Sequence, residues 1–412
     1  MPTDARQMNA ADTSWRNDPW LGVNPTDPAF RADPYPFLKR LREYDPVNET
    51  PIGVFRLTRY ADVVRMVKEV PSGVRMADGS IFGGDPTLAG GPSRFILRLD
   101  PPDHTRIRKL MSQAFRPRAV ARLRARVERL VDELLDRAAE RGEMDVIADL
   151  ALPVPATVIC EMMDVPSADR GKFTEWTAAT THLLAAALAQ PDVLERAMAG
   201  AGALAAYFTD LIADRRTHLG DDILSDLIRA EEEGDRLSEA ELLSQSIGLL
   251  IAGFETTIGL IGNGVLALVR HPDQRALLRQ RPELIESAVE ECLRYDGPIA
   301  LTIRVTREDT RFGDKVIPRD RSVMCLLFGA NRDPAHFADP DRFDITRRDN
   351  DHLAFGGGVH FCLGAHLARM EAQTAIGGLV KRFATLELQR EELVWGRSLF
   401  RVLGELPIRC RS

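Results

Sequence analysis

The stretch FGGGVHFCLG, residues 355–364, runs on through AHLAR to Arg369 and a helical pattern ending near Phe383, and it decides how the rest of the chain is read. Three successive glycines permit a turn that side chains would block, so backbone amides can point at a sulfur. A helix starting at Cys362 would favour the thiolate through its dipole and lower the thiol pKa. A metal-ligating sulfur needs such surroundings. By itself the motif equally suits a buried structural cysteine, or a nucleophile served by His360. The other cysteines, Cys160, Cys292, Cys325 and Cys410, lie at wide spacings with no CxxC pair for zinc or an iron–sulfur cluster, and read as reduced thiols.

A second signal lies upstream. Ser238 followed by Glu241 forms a capping box, and His271-Pro272 stops the helix it opens. A helix over 239–270 spans roughly 48 Å, enough to cross a large domain. Between Glu241 and Arg270 its only charged residue is Glu255, which stands beside Ala252, Gly253, Thr256 and Thr257. Small residues there would let a flat ligand approach an acid and a hydroxyl. The same residues also suit a core helix whose Glu is satisfied by a neighbour and whose Thr bonds back to its own turn. The run Ile247–Val269 is apolar enough to raise a membrane span, but Glu255, Asn263 and its glycines favour a buried core helix.

Other groups gain meaning only from context. Glu291 and Arg294 share one face of a helix, as many surface ion pairs do. His104 and Arg108, four apart after Asp100-Pro-Pro, together with Arg304 and His360, would suit a ligand with two carboxylates. The chain of 412 residues, 44% hydrophobic and 28% charged, has the balance of a packed globular protein with room to enclose a cofactor. Its net charge of -7 is spread without a basic stripe, which argues against nucleic acid. Residues 1–20 are polar and acidic, so an exposed, disordered tail is expected there, with no signal or membrane anchor, ahead of one domain over 21–412 in the cytoplasm. Strand-like alternation marks 51–60, 301–306 and 321–327; helical spacing marks 104–114, 117–141, 172–189, 193–216, 239–270, 273–295 and 363–383. The expected fold class is mainly α with small β-sheets. Five glycines within 79–91 predict a lid loop.

These motifs, in this order, resemble the cytochrome P-450 superfamily, specifically its soluble bacterial members. The resemblance runs from about Asp33 to the C-terminus. It rests on Phe355–Gly364, on AGFETT at 252–257, on Glu291–Arg294, on DPPDHTRIR at 100–108 and on ANRDP at 330–334. It implies a triangular helical prism with a sheet-rich lobe near the N-terminus, and haem b held between the long helix and the cysteine-loop helix. It implies Cys362 as the iron ligand, flanked by Phe355 and Gly364, with His104, Arg108, Arg304 and His360 on the propionates. Glu291, Arg294 and Arg342 would form a buried brace. Glu255 and Thr256 would be catalytic, handling the protons that dioxygen activation consumes. The implied pocket is a lid from Val74 to Phe95 with Leu250, Ala252, Ala300, Leu301, Leu399 and Phe400, apolar and suited to a lipophilic small molecule. Arg75 is expected to face solvent. Electrons would come from NAD(P)H through a ferredoxin or flavodoxin and its reductase, docking where Arg106, Lys109, Arg116 and Arg118 offer positive charge. The resemblance implies a monooxygenase; the alternatives are a peroxide-driven or oxidative-coupling relative, or a non-catalytic haem sensor or electron carrier.

Overall fold

The computed structural model describes residues 14–24, 27–84, 94–112, 115, 117–183, 191–220, 222–232, 237–396 and 400–411. Its centre is the helix Glu239–Arg270, 32 residues long and opened by the expected capping box. The Ser238 amide donates to Glu241 Oε2 at 2.8 Å and the Glu241 amide to Ser238 Oγ at 3.3 Å. Leu, Ile and Val side chains are buried all round it, so it is a core helix by pattern as well as by position. Each such side chain stabilises the fold by about 1.5–3 kcal/mol. Around it pack Pro153–Met162, Arg170–Thr181, Pro191–Thr217, Ile285–Asp296 and Ala365–Arg382.

A five-stranded sheet orders Val47–Glu49, Phe55–Leu57, Ser322–Leu326, Leu301–Thr306 and Ser72–Gly73 side by side. Leu301–Thr306 pairs antiparallel with Ser322–Leu326, which runs parallel to Phe55–Leu57. The sheet therefore joins both halves of the chain and is not a purely N-terminal lobe. Its strands carry a separate apolar cluster built on Phe55, Leu57, Val63, Met66 and Val323.

Three expectations change. The strand expected over 51–60 shortens to Phe55–Leu57, because Gly53 at φ 75° turns the chain and pairs that strand with Val47–Glu49, which precedes the expected range. The expected helix 273–295 divides into Pro272–Gln280, a 3-10 turn Pro282–Leu284 and Ile285–Asp296, since Pro282 has no amide to continue the ladder. Of the expected tail at 1–20, residues 1–13 lie outside the described residues, whereas Ser14–Asn17 forms a 3-10 turn. The buried Arg56 holds the stretch by donating to the Trp20 carbonyl at 3.1 Å.

Candidate active site

The cysteine loop is shaped by backbone conformations that only glycine adopts cheaply. Gly356 and Gly358 have φ of 69° and 64°. A Cβ on Gly358 would lie 2.1 Å from the Val67 carbonyl, so the loop lies directly on the end of the helix Tyr60–Lys68. The Cys362 amide closes the turn by donating to the Phe355 carbonyl at 3.0 Å. Among the five cysteines Cys362 alone is not buried; the other four have no exposed sulfur to offer. The helix begins at Ala365 with Gly364 as its cap, so Cys362 precedes the first turn instead of starting it. Burial pushes its thiol pKa up, while the Gly364 amide and then the charges of Arg108 and Arg369 pull it down.

The four expected cations converge beside this loop. His104 and His360 have ring centroids 4.2 Å apart. Arg108 donates to the Phe361 carbonyl at 2.6 Å, and Arg304 reaches the Gly357 carbonyl at 3.5 Å. Burial drives the His360 pKa down to about 3, and the charges of Arg304, His104 and Arg108 deepen the shift. Both ring nitrogens of His104 and Nε2 of His360 are buried with no hydrogen-bond partner among the described residues. Leaving such groups unmade costs about 1–3 kcal/mol each, so the arrangement is complete only with an anionic acceptor present.

The segment 94–111 ties these cations to the long helix. The Ile96 amide donates to Gln245 Oε1 at 3.1 Å, and Arg106 is ion-paired with Glu241. Along that otherwise buried helix one turn is open. Ala252 is exposed and Gly253, Glu255 and Thr256 are half-buried, while Leu250, Ile251, Phe254, Thr257 and Ile258 are buried. Thr256 Oγ1 donates to the Ala252 carbonyl at 2.7 Å. Its proton is thus engaged, and its oxygen is left to accept.

The expected brace is present with one member exchanged. Glu291 and Arg294 have fully buried side chains joined by two bonds, Nε to Oε2 at 2.7 Å and Nη2 to Oε1 at 2.8 Å. Arg294 also donates to the carbonyls of Asn331, Pro340 and Arg342. Arg342 contributes only that carbonyl; its guanidinium is 63% exposed and faces Asp344 at 3.7 Å. The second cation on Glu291 is Arg347, 11% exposed and 3.2 Å away, positioned by the Ala338 carbonyl. Asn331 extends the brace to the cysteine loop, its Oδ1 accepting from the Leu353 amide at 2.8 Å.

A further ion pair escaped the sequence reading. Arg369 grips Glu290 with two bonds of 2.7 Å, and His352 Nε2 lies 3.0 Å from the same carboxylate. The Arg369 guanidinium is 4.5 Å from the centre of the Phe355 ring. Burial alone would raise the Glu290 pKa, but Arg369 and His352 bring it down to about 2. Arg369 was visible seven residues after Cys362; nothing in the spacing pointed to Glu290 in place of its neighbour.

The expected pocket residues divide. Leu250 is 1% exposed and lies about 160° around the helix from Ala252, in the core and away from the open turn. Ala300 and Leu301 are half-buried against the cluster of Phe37, Leu38 and Phe328. Phe400 packs on the main core, Phe95 on Gly248, and Leu399 lies outside the described residues. The expected lid from Val74 to Phe95 is described only in part, because 85–93 lie outside those residues. Arg75 does not face solvent freely, since its Nε and Nη1 donate to the Arg98 and Gly79 carbonyls, each at 2.8 Å. On the expected docking face Arg106 is committed to Glu241; Arg116 and the Arg118 side chain lie outside the described residues.

A half-buried cysteine in a glycine loop, two arginines beside unpartnered histidine nitrogens that suit two carboxylates, and an open turn of a core helix together fit haem, which defines the class as a haem-dependent oxidoreductase. The chain belongs to the cytochrome P450 family, whose profile, described as Cytochrome P450, matches residues 73–395. It is 44% identical over 399 residues to Cytochrome P450 107B1 of Saccharopolyspora erythraea, covering 93% of this chain and 96% of the relative. It is 41% identical to the Vitamin D(3) 25-hydroxylase of Pseudonocardia autotrophica, covering 92% and 94%. Among solved structures it is similar to P450BioI in complex with acyl carrier protein ligated to hexadec-9Z-enoic acid, with TM-score 0.86, 38% identity and coverage of 93% and 100%. The chain is a monooxygenase that binds haem b, and the mainly helical fold is that of the family.

Proposed function

We propose that this chain inserts one oxygen atom into a lipophilic small molecule, with Cys362 as the haem iron ligand and the turn Ala252–Thr256 as the oxygen-activating surface. When bound, the haem supplies dioxygen binding, O–O scission and oxygen transfer to a C–H or alkene carbon. The Gly364 amide, Arg108 and Arg369 stabilise negative charge at Cys362 Sγ. His104, His360, Arg108 and Arg304 hold the two carboxylates, and this assignment gives the unpartnered histidine nitrogens their acceptor. Thr256, its own proton engaged by the Ala252 carbonyl, accepts a hydrogen bond from a water and so positions a proton donor in the cavity. Glu255, half-buried one residue before, exchanges protons with solvent. Glu291, Arg294 and Arg347 brace the fold and take no part in chemistry.

The observation that carries this reading is the single open turn of the core helix, where an apolar approach meets an acid and a hydroxyl. A relative named for vitamin D(3) and a neighbour holding a hexadecenoyl chain support a lipophile as substrate. Electrons come from NAD(P)H through a ferredoxin or flavodoxin and its reductase, docking on the cysteine side, where Val359 and Phe361 are 55% and 42% exposed. The setting is cytoplasmic, and residues 21–412 act as one domain. Soret spin-shift screening of lipophiles, followed by turnover in labelled dioxygen, tests the assignment. Ferredoxin-supported product carrying one labelled oxygen atom is expected; turnover with peroxide alone contradicts it.

A further inference from the structure

The stretch of chain that enters the cysteine loop is fastened at each residue from 351 to 355. Tyr60 Oη donates to the Asp351 carbonyl at 2.6 Å, and the Leu353 amide donates to Asn331 Oδ1 at 2.8 Å. His352 is used on both sides of its ring, Nδ1 accepting from the Ala354 amide at 3.2 Å and Nε2 lying 3.0 Å from Glu290 Oε2. The Phe355 carbonyl then closes the turn on the Cys362 amide at 3.0 Å. Over the Phe355 ring lies Arg369. Its guanidinium carbon stands 4.5 Å from the ring centre, while Nε and Nη2 each hold Glu290 at 2.7 Å. A fork bound at both prongs, with its flat face against an aromatic ring, leaves the group a single position, and an ammonium could not reproduce the fork.

Two features set this cation apart from an ordinary helix-to-helix pair. Against the burial that raises the Cys362 thiol pKa, the Gly364 amide, Arg108 and Arg369 act to lower it, and Glu290 is not among the groups that act on it. The guanidinium is thus the half of the pair nearer the sulfur. Arg108 belongs to the cluster that awaits carboxylates, whereas Arg369 is paired within the protein, so its charge is in place before any ligand arrives.

We propose that Arg369 raises the reduction potential of the bound haem, with Glu290 as its positioning residue and its counter-charge. The role rests on the reading of Cys362 as the iron ligand. Reduction passes one electron from the reductase partner to ferric iron, giving ferrous iron, and makes or breaks no bond to the protein. The site gains one negative charge, so a fixed cation beside the sulfur favours the reduced form and a fixed anion opposes it. The two members of the pair therefore push the potential in opposite directions, although both brace the same loop.

The test is spectroelectrochemical titration of the holoprotein as Arg369→Gln, Arg369→Lys, Glu290→Gln and the Arg369→Gln/Glu290→Gln double variant, with the melting of the same holoproteins recorded alongside. Arg369→Gln is expected to make the iron about tenfold harder to reduce, a fall of about 59 mV. Glu290→Gln is expected to raise the potential by less, because its charge is the farther one, and the double variant to lie between the two. Arg369→Lys keeps the charge and loses the fork, so its potential should fall by less than that of Arg369→Gln. If Arg369→Gln yields no holoprotein, the opposite signs of Glu290→Gln and Arg369→Lys carry the test. A purely structural pair would lower the melting temperature in every variant and shift both single-variant potentials in one direction or not at all, and that result overturns the proposal. The carbon monoxide Soret band of the parent keeps the two readings apart. A histidine-type band removes the Cys362 reading and the proposal with it, whereas a thiolate-type band with potentials that do not split removes the proposal alone.

Discussion

The brace behind the cysteine loop and the cation cluster beside it are both buried and both rich in charge, yet they are built on opposite terms. In the brace every charge has its counterpart: Glu291 has Arg294 and Arg347, and Glu290 has Arg369 and His352. In the cluster His104, His360, Arg108 and Arg304 face one another with only Asp100 nearby, a carboxylate already engaged by Arg307, and three histidine nitrogens have no hydrogen-bond partner among the described residues. Pairing makes the first a structural element whatever else is bound. Its absence makes the second a site, since two arginines and two buried histidines with unmade hydrogen bonds are gathered at a cost only where a ligand repays it.

Breaking the brace gives the largest effect. Glu291→Gln or Arg294→Leu leaves a buried charge without its partner, with an expected loss of about 3–5 kcal/mol in denaturant unfolding, enough to abolish soluble protein. Arg347→Ala should cost less, because this cation is the outer partner of Glu291, and Arg342→Ala, which removes an exposed guanidinium, should stay within about 0.5 kcal/mol. Equal losses at 342 and 347 would refute the exchange of roles.

The cluster should respond with the opposite sign. His104→Phe removes two unpartnered buried nitrogens, so the haem-free protein should keep or gain stability while haem dissociates faster, by about tenfold for one lost charge-assisted bond. Apoprotein melting and haem transfer to apomyoglobin measure the two halves. A variant that loses apoprotein stability and keeps haem would erase the contrast.

A third prediction compares two carboxyls by pH. Glu290 has its folded pKa at about 2, below the unfolded value, so its contribution is present above pH 4.5 and is lost as pH falls toward 2. Glu371 is buried with Oε2 unpartnered, and burial raises its pKa to about 8. Its folded pKa lies above the unfolded one, so the carboxyl is at home protonated: its contribution is fully present below pH 4.5, falls by about 1.4 kcal/mol per pH unit from there to about 8, and is lost above that. Melting curves of Glu371→Gln should lack that fall between pH 4.5 and about 8, and those of Glu290→Gln should lack part of the acid one.

The smallest expected change in stability lies at the open turn. Thr256→Val deletes one hydroxyl bond to the Ala252 carbonyl and should cost under about 1 kcal/mol, while more NAD(P)H is consumed per product formed. Unchanged coupling would remove Thr256 from the proton path.

Local rules made the long helix legible to its ends, because the capping box and the His271-Pro272 stop act within a few residues of where they are read. Pro282 carried the same local information, but the helical spacing on both sides of it masked the break. The site was legible where its residues fall in motifs, as with Cys362, His104 and the Ala252–Thr256 turn. It was illegible where loops select partners. Arg347 meets Glu291 from 56 residues away and Arg369 meets Glu290 from 79, and several nearby arginines had equal claim by spacing. Leu250 and Ala252 differ by two positions, which on a helix exchanges the core for the open face. Gln245 and Gly248 read simply as helix interior until the segment carrying Phe95 lay across them.

The claim on which the rest depends is that Cys362 donates its sulfur to iron. Adding carbon monoxide to the dithionite-reduced holoprotein and recording the Soret band tests it most directly. The expected result is the red-shifted band of thiolate ligation, absent from Cys362→His and unchanged in Cys292→Ser. A Soret band of the histidine-ligated type in the parent protein, or a thiolate band that survives loss of Cys362, would contradict it.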